Sequence, residues 1–206
     1  MADSTSLVPA LPPNVPRRNR RVLQRVALAG LRLMRWRVVG EFPDLRKFVI
    51  IVAPHTSNWD FIVGLFVKFA LTLDASFLAK HQLFRRPFGT LFRYWGGIPV
   101  VRSPASDMVD QIVAQFRRRR QLFLAIAPEG TRKPVPRWRS GFYHIAREAH
   151  VPILLVALDW RRKGVRFGPT VRPDGPSGRM PSAEAEREIE HIRTLYRGVR
   201  GKNGSR

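Results

Sequence analysis

Strand-length apolar runs alternate along this chain with segments of helical periodicity, and that alternation restricts the fold more than any other feature. Residues 48–53 (FVIIVA) form a continuous apolar run that stops at Pro54. Residues 58–71 then turn helical, with Phe61, Ile62, Leu65, Phe66 and Phe69 on one side. Strand-like runs follow at 76–79, 98–101, 122–127 and 151–158. Between them lie predicted helices at 83–94, interrupted near Pro87, at 103–119, opened by a Ser103-Pro104 cap, and at 141–150. A charged segment over 183–197 reads as a last helix. Runs that are apolar throughout, rather than alternating, suit strands covered on both faces. The expectation is therefore one α/β domain, with a mixed and largely buried β-sheet flanked by helices.

The length of 206 residues suits a single domain, and a hydrophobic content of 44% can supply its core. The expected organisation is a disordered, basic and Pro-rich tail over residues 1–20, a folded domain over 21–198 and a polar tail over 199–206. No run of about 20 apolar residues is present, so no membrane span is expected. The start lacks the apolar core of a signal peptide.

A net charge of +22 favours anionic partners: acidic lipid head groups, phosphorylated or acidic carrier substrates, or nucleic acid. The Arg117–Arg120 run permits the last, but no helix-turn-helix, zinc-finger or RNP-type pattern accompanies it, and no nucleic-acid partner is expected. The chain has no cysteine, which excludes disulfides, thiolate metal sites and a cysteine nucleophile. Leu23, Val26, Ala27, Gly30, Leu31 and Met34 recur at helical spacing, with arginines mostly off that stripe. Two readings of the stripe stand: a helix docked on the core, or one lying in an anionic membrane interface.

Three short blocks carry chemistry. In "IVAPHTSNWDFIVG", residues 51–64, His55 follows a predicted strand and Asp60 falls about one turn into the next helix. Thr56, Ser57 and Asn58 between them are good cap residues. Asp60 can fold back onto one imidazole nitrogen and leave the other free to take a proton. Residue types alone leave two readings open: a general base acting on a substrate hydroxyl, or a capped turn with a satisfied histidine. The second block is "APEGTR", residues 127–132, where a turn exposes backbone N–H groups and Arg132 offers a fork for a phosphate. The third is "GGIPVVR", residues 96–102, which ends in Arg102.

In this order and at these separations, the blocks resemble the glycerolipid acyltransferase family, which includes the 1-acyl-glycerol-3-phosphate acyltransferases. The segment "WRSGFYHIAREAHVPILLVAL", residues 138–158, is similar to that family's glycine-helix segment and Val-Pro-Ile strand. The resemblance spans about residues 38–158. It implies a peripheral enzyme of phospholipid biosynthesis at the cytoplasmic face of the inner membrane. His55, oriented by Asp60, would deprotonate an acceptor hydroxyl, which attacks the thioester of acyl-CoA or acyl carrier protein. Arg102, Glu129, Gly130, Thr131 and Arg132 match acceptor-binding positions, and Lys80 sits where the family commonly has a lysine. No metal or cofactor is implied, because a thioester is already activated. Pro54 stands where many members have asparagine, and Leu155 replaces a usual second proline. The implied acceptor is lysophosphatidate, with another lyso-lipid, such as a lyso-aminolipid, as the alternative.

Overall fold

The computed structural model describes residues 6–100, 105–173 and 182–204. In chain order its elements are α1 (Arg21–Leu33), β1 (Arg37–Val39), β2 (Lys47–Ala53), α2 (Asn58–Ala70) and β3 (Ala75–Lys80). A 3-10 turn (His81–Phe84), α3 (Gly89–Tyr94), β4 (Gly97–Val100), α4 (Ala105–Arg118) and β5 (Leu122–Ile126) follow. The chain continues through α5 (Gly141–Glu148), β6 (Ile153–Asp159), β7 (Gly164–Val171) and α6 (Ser182–Thr194). The strands form one seven-stranded sheet in the order β1-β7-β6-β2-β5-β3-β4. β6, β2, β5, β3 and β4 are mutually parallel, and β7 runs antiparallel to β6.

Side chains alternate across a strand, so the apolar runs divide themselves between two cores. Val49, Ile51 and Ala53 of β2, with Ile153, Leu155 and Ala157 of β6, point to the layer built by α4, α5 and α6. Phe48 and Ile50, with Leu154, Val156 and Leu158, point to the opposite layer with α1 and α2. Burial on both faces is why these strands carry no polar alternation. At roughly 25 cal/mol per Å² of apolar surface removed from water, this double core is the main source of stability.

Four expectations change. Strands β1 and β7 were not expected. β1 has only three residues, and β7 (GVRFGPTV) mixes Gly, Pro and Arg with apolar residues because just one of its faces, Val165 and Phe167, is buried. In α2 the core face is Val63, Leu65, Val67 and Ala70, whereas Phe66 turns toward α1 and packs on Gly30. Residues 6–20, expected to be disordered, are docked: Arg17 bridges to Leu73, the Arg18 N–H donates to Thr72 O at 2.8 Å, and Val15 is buried. Residues 199–204 of the polar tail are docked too. Val199 and Gly201 are buried, and Trp160 N–H donates to Arg200 O at 2.8 Å.

The stripe on α1 resolves mostly into core. Ala27 and Leu31 are buried against the sheet layer, Leu23 and Met34 are half-buried, and Val26 faces outward. A different ridge (Val22, Val26, Ala29 and Leu33) covers the solvent side, flanked by exposed Arg21, Arg25 and Arg32.

Candidate active site

The parallel strands β2, β5 and β3 end on the same edge of the sheet, where open α/β folds place their ligands. His55 lies two residues past β2, beyond a cis Ala53–Pro54 peptide, and Ser57 caps α2. The Ser57 hydroxyl accepts from Trp59 N–H at 3.2 Å. Asp60, third residue of the helix, answers by accepting from Ser57 N–H at 2.7 Å. The pair is a capping box, which satisfies main-chain donors the helix itself leaves open. The capped turn and the histidine partner are therefore the same residue. Asp60 Oδ2 also accepts from Thr56 N–H at 2.7 Å and stands 3.4 Å from His55 Nδ1.

Asp60 is buried, which by itself opposes ionisation; bonds from His55, Ser57, Trp160 and Thr56 outweigh that burial and lower its pKa. The positive end of the α2 dipole acts in the same sense. An ionised Asp60 beside Nδ1 favours the tautomer that carries its proton there, which leaves Nε2 as the basic nitrogen. The His55 side chain as a whole keeps 25% exposure.

The loop after β5 closes the other side. Glu129 accepts the His55 main-chain N–H at 2.7 Å. Burial raises the Glu129 pKa, partly offset by that bond. Gly130 adopts φ +65°, in the left-handed region that favours glycine, and the Arg139 side chain lies where a Cβ would stand. The Thr131 hydroxyl accepts from Lys133 N–H at 3.3 Å. Arg132 donates to Asn58 Oδ1, which places its guanidinium at the first turn of α2. The structure thus brings together His55, Asp60, Glu129, Gly130, Thr131 and Arg132. Lys80 closes β3, two strands from β2, and its side chain lies outside the described residues, as does Arg102.

A residue match accompanies this geometry: a family model described as Acyltransferase covers residues 32–159. The chain belongs to the acyltransferase family. The domain is also similar to the crystal structure of the 1-acyl-sn-glycerophosphate (LPA) acyltransferase PlsC from Thermotoga maritima, with 19% identity and a TM-score of 0.54. The match covers 84% of this chain and 75% of that one, and shows a shared fold. No protein of curated function matches the chain significantly.

Several neighbours of this candidate site were not singled out in the sequence. Trp160 donates its indole N–H to Asp60 Oδ1 at 2.6 Å. Asn203 donates its side-chain amide to Thr56 O at 2.8 Å, and Gly201 packs where a Cβ would collide with the Thr56 side chain. Lys202 Nζ lies 4.8 Å from the Trp59 ring and 5.1 Å from that of Trp160. The available signal for Trp160 was positional. It follows β6 directly, and so lies at the same carboxyl edge as His55.

Proposed function

We propose that the domain moves a fatty acyl group from an acyl-CoA or acyl carrier protein thioester to the hydroxyl of a lyso-glycerophospholipid, 1-acyl-glycerol-3-phosphate. The observation that carries this reading is the His55–Asp60 pair, partly exposed and with Arg132 held at the first turn of the same helix. His55 Nε2 takes the acceptor's hydroxyl proton as the oxygen attacks the thioester carbonyl. Collapse of the tetrahedral adduct breaks the C–S bond, and the leaving thiolate takes the proton back from His55. Asp60 stabilises the imidazolium in between. Arg132 and Arg102 are assigned to the acceptor phosphate, for which a guanidinium fork is suited. Lys80, Glu129, Gly130 and Thr131 complete the acceptor side.

A lipid acceptor requires a meeting with a bilayer. No described helix is long and apolar enough to cross one. The outward ridge of α1 offers the alternative: apolar residues in the plane of the interface, arginines at head-group level, and a net charge of +22 behind them. The proposed location is the cytoplasmic face of the inner membrane, held peripherally.

The test is to incubate the purified chain with labelled acyl-CoA or acyl carrier protein and a panel of lyso-lipids, and to identify products by mass. The expected product is diacylglycerol-3-phosphate. Transfer confined to a lyso-aminolipid would reassign the acceptor, and no transfer to any acceptor would overturn the reading.

A further inference from the structure

Asp60 has two oxygens, and the site uses them differently. Oδ2 faces His55 Nδ1 and closes the cap of α2, while Oδ1 receives Trp160 Nε1–H at 2.6 Å. Trp160 lies one residue beyond β6 and one beyond the stretch that matches the family model. Its orientation is fixed from several directions. Its main-chain N–H donates to Arg200 O at 2.8 Å. The buried Trp36 ring meets it edge-on at 5.0 Å, and Lys163 Nζ stands 4.7 Å from its centroid. A side chain held this firmly can fix the group it bonds.

We propose that Trp160 is a positioning residue for the acid–base pair: its indole N–H holds Asp60 Oδ1, so that Oδ2 stays aimed at His55. The assignment rests on the acyl-transfer reading for its kinetic consequence and on the geometry alone for its spectroscopic one. The Thr56 and Ser57 N–H groups hold Oδ2, and the indole bond fixes the second oxygen and with it the tilt of the carboxylate plane; without it the bond to His55 would be shared among tilts. The charged groups facing Asp60 and Trp160 are His55 from the β2 loop, Glu129 from the β5 loop, and Lys163 and Lys202 across the Trp160 ring.

The test uses the full chain with Trp160→Phe, which keeps a ring and removes the donor. A second variant carries β-(3-benzothienyl)alanine at 160, which keeps the indole's shape and replaces N–H by sulfur. One lost bond to a charged group lowers kcat about ten-fold, with both KM values nearly unchanged. Independently of turnover, the NMR signal of the His55 imidazole Nδ1–H moves upfield or broadens as its bond to Asp60 weakens. If the isosteric variant folds with an unchanged imidazole signal, Trp160 is packing only and the proposal is overturned. If wild-type protein transfers no acyl group at all, the function reading fails, while the NMR comparison still decides the role of Trp160.

Discussion

Glu129 accepts the main-chain N–H of His55 at 2.7 Å, so the loop after β5 is fastened to the residue proposed as the base. The carboxylate that does this is largely withdrawn from water, and its pKa is raised for that reason. An acidic group whose folded pKa lies above its unfolded value keeps a proton the unfolded chain has lost. Stability therefore falls as pH rises through that interval, and the deficit persists above it.

Replacing Glu129 by Gln removes the buried charge and keeps an acceptor for the His55 N–H. The variant is expected to be more stable than wild type near pH 7.5 and indistinguishable from it near pH 4, where the carboxyl is protonated. If Glu129 serves the acceptor side as proposed, acyl transfer should fall at the same time. Denaturant midpoints at the two pH values check the sign; a less stable variant at pH 7.5 would contradict it.

Arg132 is exposed and anchored through Asn58 at the first turn of α2. If it holds the acceptor phosphate, Arg132→Ala raises the acceptor KM by roughly 10–150-fold, from about 1.5–3 kcal/mol for a charged hydrogen bond. Arg132→Lys recovers part of the loss, because the charge remains but the fork is gone. Arg102→Ala is expected to behave alike. Steady-state kinetics with varied acceptor and saturating donor read the effect; an unchanged acceptor KM would remove Arg132 from the phosphate site.

Sequence patterns exposed the central sheet because the inner strands are buried on both faces and nothing interrupts their apolar runs. The same reasoning missed β1 and β7, where burial is one-sided and Gly168 and Pro169 break the pattern. His55, Asp60 and the 127–132 turn were legible because each lies directly after a recognisable strand. Trp160, Asn203 and Lys202 were not. They reach the site through docking of the segment around 199–204, and no local spacing encodes that docking. The opening 20 residues misled for the converse reason. Their composition is that of a disordered segment, yet the Arg18 bond to Thr72 O and Pro16's own bond from Asp74 N–H (3.0 Å) hold the described part, residues 6–20, in place.

The membrane proposal now rests on Val22, Val26 and Leu33, exposed by 74%, 56% and 86%. Changing all three to Ser should leave thermal stability nearly intact, as surface substitutions usually do. Binding to anionic vesicles should weaken, and the remainder should become fully salt-reversible, since the arginines contribute ~1 kcal/mol each and only that part is screened. Leu31, with no exposure, provides the contrast: Leu31→Ser should destabilise the fold. Vesicle co-sedimentation at low and high salt checks both. Undiminished, salt-resistant binding by the triple variant would place the contact elsewhere.

The most direct measurement is turnover of His55→Ala on the acceptor that wild type uses best, at matched folded fractions verified by circular dichroism and thermal midpoint. Loss of the general base predicts a fall of ~10²–10⁴-fold in kcat. Asp60→Asn should also be severely impaired, through lost orientation and lost charge. A well-folded His55→Ala protein that transfers acyl groups at close to the wild-type rate would contradict the mechanism.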